Sequence, residues 1–101
     1  MPFKEVGLHD EAFAEAQAAY DWYASRNPTA ATAFLDELDS AIAQVGKLPN
    51  AGGIYSSGTR RYVMKRFPFT VIYREGKKVI EVIAVAHGRR KPGYWKERVK
   101  N

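Results

Sequence analysis

Val79-Ile80-Glu81-Val82-Ile83-Ala84-Val85-Ala86-His87 decides how this chain folds. It is rich in β-branched residues, which fit a pleated strand. It is apolar at odd and even positions alike, so both faces of the strand must be buried. The stretch therefore predicts the central strand of a sheet. Outward from it, Glu75-Gly76-Lys77-Lys78 is a tight hairpin turn that joins it to a strand over Phe69–Arg74. A third strand is expected over Arg60–Arg66, set off by Phe67-Pro68, because Pro68 has no amide to give to a ladder.

Upstream the period changes from two to that of a helix. Asp10 and Glu11 suit the positive end of a helix dipole. Phe13, Ala16, Tyr20 and Tyr23 follow at helical spacing, with Ala12 and Ala19 widening the stripe. Asn27-Pro28 ends this helix and starts another: Asn27 can cap, and Pro28 suits a first turn that needs no amide donor. The second helix runs from Pro28 to about Leu48. Its apolar face is Phe34, Leu38, Ala41, Ile42, Val45 and Leu48, while Asp36, Glu37, Asp39 and Gln44 read as a solvated face. So short a break predicts an antiparallel helical hairpin. Pro49 stops the helix and Asn50-Ala51-Gly52-Gly53 continues as loop. Phe3 to Leu8 reads as a short first strand, and Tyr94–Val99 as one or two helical turns.

The expected architecture is α+β, in the order β-α-α-β-β-β with a short C-terminal helix. A small antiparallel sheet carries the helical hairpin on one face and leaves the other partly open for basic side chains. A length of 101 residues predicts one domain over 1–101.

Composition narrows the chemistry. The absence of cysteine excludes disulfides, thiolate metal sites and a cysteine nucleophile, and suits a reducing cytoplasm. The first residues lack an apolar core of signal-peptide length. The longest apolar run, Val82 to Ala86, is too short to span a membrane. His9 and His87 lack metal-ligand spacing, and no phosphate-binding glycine motif stands between a strand and a helix. No cofactor and no metal are expected.

The net charge of +5 conceals a segregation. Residues 1–59 hold three Lys and Arg against eight acids, whereas residues 60–101 hold thirteen against three. A basic half of this kind points to a polyanionic or acidic partner. Its densest part is His87-Gly88-Arg89-Arg90-Lys91-Pro92-Gly93-Tyr94-Trp95-Lys96-Glu97-Arg98, joined by Arg60, Arg61, Lys65 and Arg66 from a neighbouring strand. The arginines suit bidentate phosphate binding. With an imidazole and a phenol, the set also suits RNA cleavage, which needs a base, an acid and cationic stabilisation of the transition state. Histidine is the residue type that titrates near neutrality. Plainer readings stand beside these. His87 ends a strand and bonds to backbone, and Tyr94 and Trp95 pack the tail onto the sheet. Arg98 neutralises the acidic second helix, while Arg61 and Arg66 guard a strand edge.

An ordered series of short motifs resembles the RelE/ParE family of type II toxins. It comprises Tyr20-Asp21-Trp22-Tyr23, Phe34-Leu35-Asp36-Glu37-Leu38 with Ala41-Ile42, and Leu48-Pro49. It continues with Phe67-Pro68-Phe69 before Val71-Ile72-Tyr73, then Ile83-Ala84-Val85-Ala86-His87-Gly88-Arg89-Arg90 and Pro92-Gly93-Tyr94-Trp95. The resemblance implies a cytoplasmic bacterial toxin in a hetero-oligomeric complex with a cognate antitoxin that wraps around it. The antitoxin's toxin-binding segment should be amphipathic, and acidic where it crosses the basic patch. Two targets follow from the family: DNA gyrase for ParE-like members, and mRNA on the ribosome for RelE-like ones. In the nuclease branch an arginine often precedes the apolar pair and tyrosine of the middle strand, and here Thr70 stands there. Arg61 and Arg90 match basic positions of that branch and Tyr94 its aromatic. A metal-independent endoribonuclease would use these with His87. The His87-x-x-Arg90 ending resembles gyrase-directed members, so the ParE-like reading is favoured. For that reading Arg60, Arg61, Lys65, Arg66, Arg89, Arg90 and Arg98 are the target- or phosphate-binding residues. A non-toxic relative that binds only its antitoxin is the third possibility.

Overall fold

The structure is a computed structural model that describes residues 4–99. Its elements are β1 (Glu5–Leu8), α1 (Asp10–Ala24), α2 (Pro28–Lys47), β2 (Gly53–Ile54), β3 (Arg60–Val63), β4 (Phe69–Glu75) and β5 (Val79–His87). Two 3₁₀ turns add to these, Ser56–Gly58 and Lys96–Val99. Phe3, expected to open β1, lies outside the described residues.

Each helix begins as its sequence dictates. The His9 side chain accepts from the Glu11 amide at the start of α1 (3.1 Å). Asn27 Oδ1 accepts from the amides of Thr29 (3.1 Å) and Ala30 (3.3 Å), capping α2. The two helices pack together on one face of the sheet. α1 buries its alanines Ala12, Ala16 and Ala19, whose small side chains let the helix lie close to β5. Phe13, expected in the core stripe, is 61% exposed because the buried arc is narrow and centred on those alanines. α2 buries Phe34, Leu38, Ala41 and Val45 against Val71, Tyr73, Ile80 and Val82 of the sheet. Leu48, also expected on that face, is exposed.

The sheet order is β1-β5-β4-β3-β2. β5 and β4 are antiparallel, as are β4 and β3, with Gly76 N–H bonded to Val79 O (2.9 Å) at the hairpin turn. β1, however, runs parallel to β5, with Glu5 opposite Val79 and Leu8 opposite Val82. The sheet is therefore mixed rather than wholly antiparallel. Hairpins fix direction through their turns, but β1 reaches β5 only after the whole helical hairpin, so no turn sets its direction. Lys4 Nζ helps to fix it by bonding Glu75 Oε2 and Gly76 O at the β4–β5 turn, both at 2.7 Å.

β3 ends at Val63 rather than Arg66, and the loop that follows is held from α2. Glu37 accepts from the amides of Lys65 and Arg66 and pairs with Arg66 Nε at 3.5 Å. This acid thus anchors the basic loop instead of belonging to a solvated face. β2, expected as loop, pairs Gly53 with Arg61 and Ile54 with Arg60. It is held by Tyr73, whose hydroxyl donates to Pro49 O (2.7 Å) and accepts from Gly52 N–H (2.8 Å). A Cβ on Gly52 would stand 2.6 Å from Arg61 O and 2.7 Å from the Tyr73 hydroxyl, so glycine is required there.

The second face of the sheet is not simply open. Trp95, 2% exposed, packs on Ile72, Ile83 and Ala84, flanked by Tyr55, Tyr94 and Val99. The tail covers this face because Ile72 and Ile83 point away from the helices and need apolar cover. What stays uncovered is the end bearing Arg61 and Val63.

Candidate functional site

β1 is only four residues long, so it covers β5 only as far as Val82. The His9 amide adds one more bond, to Val82 O (2.9 Å). Beyond that point β5 becomes an edge strand with main-chain groups in need of partners. Side chains take over there. Glu15 Oε1 accepts from the Val85 amide (2.9 Å), and Arg98 Nη1 donates to Ile83 O (3.0 Å).

Glu15 and Arg98 also bind one another, and they gather the surrounding groups. Tyr94 donates its hydroxyl to Glu15 Oε2 at 2.7 Å. Arg98 reaches Glu11 at 3.1 Å, and Arg90 Nη1 stands 3.9 Å from Glu15. The Arg90 guanidinium lies over the Tyr94 ring, 3.7 Å from its centroid. Arg98 thus neutralises acids of the first helix, not the second.

Burial raises the pKa of the Glu15 carboxyl, but hydrogen bonds from Arg98, Tyr94 and the Val85 amide outweigh it and hold the group below its ordinary range. Burial, together with the hydrogen bond given to the Glu15 carboxylate, pushes the Tyr94 phenol well above its ordinary value. The bond to Glu15 raises Arg98 further, against the effect of its own burial.

The remaining sequence-predicted residues lie apart from this cluster. His87 pairs with Phe69 across the ladder, on the helix side of the sheet, and its ring meets the Phe69 ring edge-on at 5.0 Å. Its Nδ1 accepts from the Arg89 amide (2.9 Å), and its carbonyl accepts from the Arg90 amide (3.0 Å). Arg61 pairs with Ile72 on the opposite face and stacks on Tyr55 at 4.6 Å. Arg60 donates to Gly52 O (2.8 Å). Lys65 and Arg66 sit on the loop anchored by Glu37. The Arg89 side chain is exposed.

So the fold gathers Arg90, Tyr94 and Arg98 and separates Arg61 from His87 by the thickness of the sheet. Glu15, the centre of the cluster, is absent from the sequence-predicted set. Its one signal is an acid placed beside Ala12, Ala16 and Ala19 on the flank of a buried stripe. Among the described residues no three His, Asp or Glu side chains are grouped to hold a metal ion. Between α1 and the open end of β5 runs a groove of ≈ 940 Å³, walled by Trp22 and Tyr23 and rimmed by Arg89 and Arg90.

Residues 6–92 match the family model described as the ParE toxin of the type II toxin-antitoxin system, parDE. The chain belongs to the ParE toxin family. It is the toxin component of a type II system, and an antitoxin is its counterpart. A solved structure with the same fold is the chromosomal ParDE toxin–antitoxin system from P. aeruginosa. It matches with a TM-score of 0.73 and 20% identity, over 84% of this chain and 96% of that one. No curated protein sequence matches. The family match stops at Pro92, so Tyr94, Trp95 and Arg98 lie beyond it. No helix among the described residues is long and apolar enough to cross a membrane.

Proposed function

We propose that this ParE toxin arrests growth in the cytoplasm by binding DNA gyrase through its basic half, without cutting RNA. The observation that carries this reading is the hydrogen bond from the Tyr94 hydroxyl to Glu15. Ribose cleavage by general acid–base catalysis needs its base, acid and cation within hydrogen-bond reach of one phosphate. Tyr94 is tied to a carboxylate and its phenol is held protonated. Arg61 lies on the face opposite His87. Thr70 stands where an arginine would favour the nuclease. A surface that binds without catalysing needs none of this convergence.

The antitoxin is proposed to be acidic and amphipathic where it crosses the basic half, because complementary charge directs both encounter and register. The endoribonuclease reading keeps one observation in its favour: His87 and Arg90 share a turn, with the Arg90 amide on the His87 carbonyl (3.0 Å). Parallel assays of the purified toxin separate the two. The expected result is blocked supercoiling by gyrase with intact transcripts on translating ribosomes. Cleaved transcripts with unimpaired supercoiling would overturn it.

A further inference from the structure

Two basic stretches far apart in sequence meet at one end of the sheet. β3 ends at Val63, β4 starts at Phe69 and β5 ends at His87, with Val63 paired to Thr70 and Phe69 to His87. The loop before β4 and the turn after β5 therefore lie side by side, and the Gly88 amide bonds Pro68 O at 2.8 Å. This brings Lys65 and Arg66 to the same end as Arg89, Arg90 and Lys91, and all five are exposed. Neither stretch, 64–68 or 88–92, contains an acid.

Two carboxylates reach this end from the helices, and both are engaged. Glu37 accepts from the Lys65 and Arg66 amides. Glu15 is gripped by Arg98. The arginines that touch them stay open to solvent: the Arg66 side chain is 65% exposed and that of Arg90 53%. Lys65, Arg89 and Lys91 form no ion pair among the described residues. The backbone beneath the cations is fixed, by Glu37 under the loop and by His87 under the turn, where its Nδ1 accepts from Arg89 N–H and its carbonyl from Arg90 N–H. Little ordering remains to be done when an anion arrives.

The form of the polyanion follows from the rings beside the patch. Single strands are held by bases stacked on free aromatic faces. Here Phe67 packs against Tyr23 and Phe34, Tyr94 lies under Arg90 at 3.7 Å, and Trp22 carries Arg26 at 4.0 Å. What the surface offers is charge, which suits a duplex whose phosphates are on the outside and whose bases are already stacked. We infer that this end of the sheet binds the phosphate backbone of duplex DNA without regard to sequence. This goes beyond the gyrase reading by giving the toxin a grip on the DNA that gyrase acts on.

The far end of the sheet supplies the control. Lys77 and Lys78 are exposed at the β4–β5 turn. The nine residues of β5, at about 3.4 Å each, put that turn about 27 Å away. That is well beyond the screening length of roughly 10 Å at 0.1 M salt. The test is fluorescence anisotropy of a labelled 30-bp duplex titrated with the full-length toxin at several salt concentrations, with no gyrase present. Wild-type affinity should fall with salt at a logarithmic slope of about −4, as five phosphate contacts require. Replacing Lys65→Gln together with Arg89→Gln should weaken binding by about tenfold or more and make the slope shallower by about two. Replacing Lys77→Gln together with Lys78→Gln removes the same charge and should leave both unchanged. Thermal melts check that both variants fold.

Absence of wild-type binding, or a slope no steeper than about −1, would overturn the inference. So would equal losses in the two double variants, which would assign binding to net charge alone. Tighter binding of a single-stranded RNA of the same length would also overturn it, in favour of that ligand. Because gyrase is absent, the inference stands or falls separately from the gyrase reading.

Discussion

The Glu15 carboxylate and the Arg98 guanidinium meet prong to prong, Oε2 on Nη2 at 2.9 Å and Oε1 on Nη1 at 3.1 Å. Both are well shielded, with side chains 15% and 10% exposed. Each also bonds the β5 main chain, Glu15 at Val85 and Arg98 at Ile83. The pair behaves as a piece of strand built from side chains, and it clasps α1, β5 and the C-terminal tail together. Bidentate, charge-assisted bonds of this kind are among the stronger polar contacts a protein makes.

Arg98→Ala should destabilise the fold by about 2–4 kcal/mol, since a shielded carboxylate loses its cation and Ile83 O loses its donor. Urea titration should show a lower midpoint with an unchanged slope. A loss within the error of the extrapolation would mean that the clasp contributes little.

Acid should loosen the same clasp. Because the Glu15 pKa is lowered on folding from its ordinary value of 4.5, the unfolded chain takes up a proton more readily than the folded one. The stabilisation is complete above that value and is lost as pH falls through the lower, folded pKa. In Glu15→Gln the fall in unfolding free energy between about pH 5 and pH 3 should be shallower than in the wild type. Identical slopes would assign the acid sensitivity to other carboxylates.

Tyr94→Phe separates structure from catalysis. Losing one hydrogen bond to a carboxylate should cost about 1.5–3 kcal/mol of stability. Gyrase inhibition should survive at a temperature where the variant is folded. Abolished toxicity in a well-folded variant would instead favour a direct role for the phenol.

Tyr73→Phe leaves the buried Gly52 amide without its acceptor, which should cost about 1–3 kcal/mol. Gly52→Ala should cost at least as much, because its methyl group collides with backbone at Arg61. Differential scanning calorimetry on both variants would check the order. A neutral Gly52→Ala would show that β2 moves aside freely.

Glu37→Ala should leave global stability nearly intact while exchange of the Lys65 and Arg66 amides quickens, since Glu37 is their acceptor. Nuclear magnetic resonance exchange rates at those two amides would decide it. Unchanged protection would mean that the loop holds itself.

Much of this architecture is legible in the sequence because it is written in local period and local punctuation. Asn27-Pro28 marks the helix boundary by itself, and the doubly apolar run of β5 declares a buried strand. The parallel direction of β1 is not legible, since it depends on a partner more than seventy residues away. Glu15 and Glu37 are hidden for the same reason. An acid on a helix reads as solvated until tertiary structure brings it an amide from β5 or from the loop after β3. Phe13 misleads in the opposite sense, because an alanine stripe beside it wins the contact with the sheet. In the candidate site, the density of Arg and Lys is plain in the sequence, but its division between two faces is set by strand register.

The pairing of β1 with β5 has a consequence for how the protein comes into being. Glu5 waits for Val79, and Glu15 waits for Arg98. A chain emerging from the ribosome makes its helices first and carries them with their apolar faces uncovered, because the strands they cover are not yet made. Contacts so distant in sequence form slowly and late. The basic surface built on these pairings therefore needs β5 and Arg98 to have been made, and a nascent chain that holds only the helices cannot present it.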